Sequence, residues 1–98
     1  MDVTWDETKS ASNQAKHGVS FEEASELFTS GVDYLEIYDE AHSADEDRFI
    51  AVGPIRRGVV LVVWSERFWM NDQESAIRII SARWATRRER DHYLSSME

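Results

Sequence analysis

Ala76-Ile77-Arg78-Ile79-Ile80-Ser81-Ala82-Arg83 is the stretch whose reading decides the fold. β-branched residues dominate it and alternate with other types, which predicts a strand. A period of two places Ile77 and Ile79 on one face, with Arg78, Ile80 and Ala82 on the other. An arginine in such an apolar strand is costly unless its charge finds partners or reaches solvent. Thr86-Arg87-Arg88-Glu89 follows with the spacing of a capping box, so a helix is expected from about Thr86 to Ser95. A central strand thus delivers arginines to one end of a sheet and turns into an arginine-rich helix.

Upstream, Val59-Val60-Leu61-Val62-Val63-Trp64 is apolar on both faces, as befits a central strand covered at least partly on both sides. Phe68 to Ser75 reads as a loop that leaves Phe68, Trp69 and Met70 partly exposed. Arg48 to Gly53 is another strand, with a turn at Pro54 to Gly58, and Tyr34 to Tyr38 alternates as a half-exposed one. The acidic turn between them, Asp39 to Asp47, carries His42, which reads as solvated.

At the start, Val3-Thr4-Trp5 suits an edge strand, and Asp6 to His17 suits a helix ended by Gly18, with Lys16 and His17 in its last turn. Ser20-Phe21-Glu22-Glu23 is a second capping box, opening a helix whose apolar stripe is Phe21, Ala24, Leu27 and Phe28. The order is β-α-α-β-β-β-β-α. The expected fold is α+β: two N-terminal helices packed on an antiparallel sheet of four to five strands, with a C-terminal helix. The expected core includes Phe21, Leu27, Phe28, Leu61, Val63, Ile77 and Ile79.

The 98 residues suit one domain. With no cysteine, disulfides and thiolate metal sites are excluded, and a reducing cytoplasm is the natural setting. No apolar run approaches the ~20 residues of a membrane span, and Met1 to Asp6 has no signal-peptide character. The net charge of -8 is unevenly divided. Residues 1–47 carry 13 acids and 2 bases, whereas residues 48–98 carry 6 acids and 9 bases. Screening confines fields to about 8–10 Å, so a basic face can coexist with an acidic total. Charge alone favours the simpler reading, a solvated acidic surface with ordinary scattered arginines.

Trp5-Asp6-x-x-Lys9-x-x-x-Asn13-x-x-Lys16-His17-Gly18-Val19-Ser20-Phe21-Glu22-Glu23-Ala24 resembles the N-terminal signature of the BrnT family of bacterial toxins. His42-Ser43 with Glu46-x-Arg48-Phe49, and Arg78 to Arg90, match its middle and C-terminal motifs. The longer Phe68–Ser75 loop and Trp84 depart from the pattern. The resemblance implies a RelE-like fold, ribonuclease activity, and a DNA-binding antitoxin of the BrnA type, dimeric, through which alone the pair would reach operator DNA.

Metal-free RNA cleavage needs a base for the 2′-hydroxyl proton, an acid for the leaving oxygen, and cations around the transition state. No His/Asp/Glu cluster has metal-site spacing, so neither metal nor cofactor is expected. His17, Glu66, Arg67, Arg78 and Arg83 are the candidate catalytic residues. Guanidinium matches phosphate bidentately, which favours Arg78 and Arg83; a structural ion pair is the competing reading for Arg78. On a strict period of two, these arginines share a site only if the strand twists, bulges or ends near Ser81. Histidine is the side chain suited to either acid or base work near neutral pH, which favours His17, although a helix C-terminal interaction also explains it. Glu66 admits a surface ion pair, and His92 reads as surface. Lys9, Lys16, Arg48, Arg87 and Arg88 are candidates for RNA contact, and Phe68, Trp69 and Met70 for antitoxin docking. A non-catalytic binding module, pairing with an antitoxin in operon autorepression, is the alternative function.

Overall fold

The computed structural model of the protein describes residues 2–68 and 75–97. Its strands are β1 (Asp2–Thr4), β2 (Leu35–Tyr38), β3 (Arg48–Ile55), β4 (Gly58–Phe68) and β5 (Ser75–Trp84). They form one sheet in the order β1-β5-β4-β3-β2. β2 to β5 are antiparallel neighbours, but β1 adds to β5 in parallel, pairing Val3 with Ile77. The sheet is therefore mixed, not antiparallel throughout. β1 does occupy an edge, where only three residues need pairing.

Helix α1 (Glu7–His17) is capped at its start by Asp6, whose side chain accepts from Lys9 N at 3.0 Å. It ends at Gly18, whose φ of 77° is a left-handed conformation that glycine adopts without strain. The expected second helix is two short pieces, α2 (Phe21–Ala24) and α3 (Glu26–Thr29), meeting at Ser25. Ser20 caps the first piece, accepting from Glu23 N at 3.0 Å. Helix α4 (Arg87–Ser96) opens with the complete Thr86/Glu89 capping box.

α1, α2 and α3 cover one face of the sheet. Val19, Phe21, Ala24 and Leu27 meet Ala51, Val60, Val62, Trp64, Ile77, Ile79 and Ala82 there. The expected core is corrected in one strand. Val60, Val62 and Trp64 face the helices, whereas Leu61, buried as expected, and Val63, partly buried, belong to the opposite face. β4 is apolar on both faces, so no alternation in its sequence fixes which residues point inward. Phe28 packs on the core only partly buried. The Gly53 position is required by close packing: a Cβ there would lie 2.6 Å from Leu27 Cδ1.

Asn13 ties α1 to β5. Its Nδ2 donates to Val19 O at 2.9 Å and to Ala82 O at 2.8 Å, and its Oδ1 accepts from Ala82 N at 3.2 Å. Ser10 Oγ, one helical turn earlier, accepts from Phe21 N at 2.9 Å. Both polar side chains are buried, and each satisfies a backbone group that the helix layer would otherwise shut off from water.

Candidate functional site

The chemistry-bearing residues gather on the face of the sheet away from α1–α3, and a β-bulge puts them there. Trp64 pairs with Ile79 and Val63 with Ser81, so Ile80 is an extra residue in β5. Before it, Ile77 and Ile79 face the helices; after it, Ala82 does. Arg78, Ile80 and Arg83 are thereby brought to the same side. Ala82, expected beside Arg78, is displaced to the helix face by that inserted residue.

Thr4, Arg78, Ser65 and Arg48 occupy one register row across β1, β5, β4 and β3. Arg83 lies further along, opposite Leu61, with Ile50, Val63 and Ile80 between. A groove of about 530 Å³ runs over this apolar band; His17, Asp39, His42, Arg48, Arg83 and Glu89 supply its polar lining. A hollow of about 60 Å³ continues it, sharing Arg48 and Ile80 and adding Lys9 and Arg78, with Asp6 and Glu46 at its edge.

Arg48 Nε and Ser65 Oγ are buried and have no hydrogen-bond partner among the described residues. The Glu46 carboxylate stays 3.9 Å from Arg48 Nε. A buried polar group left unpaired costs roughly 1–3 kcal/mol. Two in adjacent strands, next to Arg78, suit an incoming group rich in acceptor oxygens, and phosphate is such a group.

His17 stands at the groove because the corner after α1 is braced. Arg57 Nη2 donates to Gly18 O at 2.9 Å and to Glu23 Oε1 at 2.6 Å. The Arg57 guanidinium lies 5.1 Å over the Trp84 ring, and its hydrogen bond holds the Glu23 carboxyl below its ordinary range.

The residues that match the family of ribonuclease toxins, BrnT, of type II toxin–antitoxin systems run from 5 to 89, which takes in this whole groove. The chain belongs to the BrnT family. An antitoxin partner comes with that membership. The comparison with curated proteins gives no match. Among the described residues, no helix of this BrnT protein is long and apolar enough to cross a membrane. Nor do three His, Asp or Glu side chains among them group to hold a metal ion. Trp84 has a structural task here as the pad beneath Arg57.

Of the residues expected to act, His17, Arg48 and Arg83 line the groove, and Lys9 and Arg78 line its extension. Glu66 is not brought to them. It lies within β4, opposite Ile77, exposed on the helix-bearing side. Lys16 is exposed and outside the groove lining. Arg67 and Phe68 are the last positions of β4, and Trp69 and Met70 lie outside the described residues. Arg87 and Arg88 are exposed in the first turn of α4. Cations at the positive end of a helix oppose its dipole, so α4 gains nothing in stability from them.

Arg83 differs from a free phosphate ligand. Its Nη1 and Nη2 donate to the two Glu89 oxygens at 2.7 and 2.8 Å. That hydrogen-bonded guanidinium, with help from Thr86 N at 2.8 Å, holds the Glu89 carboxyl down at about 2. A depressed carboxylate contributes stability above its unfolded value near 4.5 and loses it as pH falls through about 2. With the pair partly exposed, solvent screening limits this to about 1 kcal/mol. Glu89→Gln should therefore lower the melting temperature at pH 7 by a few degrees, and the deficit should shrink between pH 4.5 and 2. Thermal unfolding across that range checks it; a pH-independent deficit would mean that charge plays no part.

His42 and Asp39 also line the groove, though the sequence marked neither as a site residue. The His42 ring and the Asp39 carboxylate are paired at 3.0 Å. The available signal was the family match of His42-Ser43 beside Glu46-x-Arg48. The turn itself, acidic and polar, looked merely solvated.

Proposed function

We propose that this chain is a metal-independent endoribonuclease that cleaves RNA by attack of a 2′-hydroxyl on the adjacent phosphate. The observation that carries the reading is the convergence of Lys9, Arg48 and Arg78 on one hollow, continuous with a groove lined by His17. The scissile phosphate sits at the Arg48–Ser65–Arg78 row, where guanidinium groups take its non-bridging oxygens as charge builds in the transition state. The apolar band of Ile50, Val63 and Ile80 lies under sugar and base, and the exposed Arg87 and Arg88 contact flanking phosphates. His17 moves one of the two protons, as an imidazole can give or take one. The 2′-oxygen bonds to phosphorus, the bond to the 5′-oxygen breaks, and the products are a 2′,3′-cyclic phosphate and a free 5′-hydroxyl.

In the cell, cleavage inhibits translation and growth until a BrnA-type antitoxin covers the groove. Operator DNA is reached only through that antitoxin. Induced expression of the chain alone, and then with the product of the neighbouring reading frame, tests the proposal. Alone it should arrest growth and fragment total RNA; with the neighbour, growth should return. Soluble chain accumulating in freely growing cells with intact RNA would favour the non-catalytic binding module.

A further inference from the structure

Resting on the ribonuclease reading, we infer that His42, oriented by Asp39, is the second proton-transfer residue of the reaction, acting in the same groove as His17. The cleavage needs two proton transfers, one from the 2′-hydroxyl and one to the departing 5′-oxygen, and His17 alone supplies one group at a time.

The Asp39–His42 geometry is unusual for a surface turn. Asp39 sits at the N-cap of the short 3₁₀ turn Glu40–His42, where an aspartate side chain ordinarily accepts from a backbone N–H. It makes no such bond. Its carboxylate turns instead to His42 Nδ1, with both oxygens at 3.0–3.1 Å. A carboxylate at Nδ1 fixes the proton there and leaves Nε2 for the substrate. The carboxylate is itself held: only 14% of the Asp39 side chain is exposed, against 69% for His42.

The backbone around the pair is anchored to the phosphate row. Asp39 N donates to Arg48 O at 2.9 Å, Ser43 Oγ donates to Asp39 O at 2.6 Å, and Arg48 N donates to Ser43 Oγ at 3.0 Å. The histidine turn and Arg48 therefore move as one piece. The charged and titratable groups facing His42 in the groove are Asp39, Arg48 of β3, His17 of α1, Arg83 of β5 and Glu89 of α4. The two histidines come from different elements, His17 from the end of α1 and His42 from the turn before β3, and line one groove with Arg48. One takes the 2′-hydroxyl proton as base, and the other, as imidazolium, gives its proton to the 5′-oxygen. Asp39 is a positioning residue, since it acts only through the ring.

The test is single-turnover cleavage of a short RNA as a function of pH, for the parent chain and for His17→Ala, His42→Ala, His42→Gln and Asp39→Asn. His42→Ala and His42→Gln should each lose about 100-fold or more in rate, with substrate affinity unchanged and one limb of the bell-shaped pH profile gone. Asp39→Asn should lose about tenfold and keep both limbs. A substrate with sulfur in place of the bridging 5′-oxygen needs no acid to depart. It should restore one of the two histidine-to-alanine variants, and not the other. His42 is exposed, so circular dichroism of its variants should match the parent. A cleaving parent whose His42 variants stay within threefold, or lose rate with the full bell intact, overturns the assignment while leaving the ribonuclease reading in place. A folded parent with no cleavage at all overturns both.

Discussion

Replacing Arg48 and Arg78 together by glutamine should reduce RNA cleavage to about one-thousandth of the parent rate or less. Removing one preorganised donor from a developing oxyanion typically costs about 100- to 1,000-fold, and these two flank a single strand position. Arg48 and Arg78 lie on either side of Ser65 in one register row, so on the proposed reading both serve the same phosphate. Each single variant should lose at least ~100-fold, and the losses should not be additive, because both act on one charge. The fold should survive, since Arg48 Nε already lacks a hydrogen-bond partner among the described residues. Rates measured alongside thermal unfolding settle it. A folded double variant that cleaves at more than a tenth of the parent rate would place the reacting phosphate elsewhere.

The second large effect concerns stability. Asn13→Ala should destabilise the protein by about 3–4 kcal/mol, because three buried backbone groups lose their partner at once. For a chain of this size that is a fall of order 15 °C or more in melting temperature. Asn13→Asp is the sharper comparison. It keeps the acceptor for Ala82 N but puts a carboxylate against the carbonyls of Val19 and Ala82, so it should be at least as damaging near neutral pH as alanine. Its deficit should shrink in acid, where a protonated carboxyl can donate to one of them. If denaturant unfolding gives less than about 1 kcal/mol for Asn13→Ala, backbone groups near Ala82 must reach water in the variant.

Features encoded by a few neighbouring residues were legible in the sequence. The Thr86 capping box forms where the spacing put it, Ser20 caps α2 while Glu23 turns its carboxylate to Arg57, and Gly18 ends α1. These caps depend on contacts within one turn, and local sequence suffices for those. Pairing between distant segments was not legible. Nothing in Asp2–Thr4 distinguishes a parallel from an antiparallel partner, and nothing in the uniformly apolar β4 says that Val62 rather than Val63 points inward. The candidate site divides the same way. Residue types suited to phosphate, such as Arg48 and Arg78, were identifiable, and His17 was marked by its corner. The shared row that joins two of them, and the turn that adds His42, exist only once the strands are in register.

The inserted residue at Ile80 has a consequence for parity. Along a strand, even and odd positions answer to different faces, and Arg78 and Arg83 differ by an odd count. The bulge is what cancels that oddness. Deleting Ile80 would leave every other residue in place in the sequence. The strand would then alternate regularly, with Arg78 and Arg83 four positions apart and still on one face. Interval and bulge are thus coupled: an odd separation of the two arginines needs an extra residue in β5, and an even one needs none.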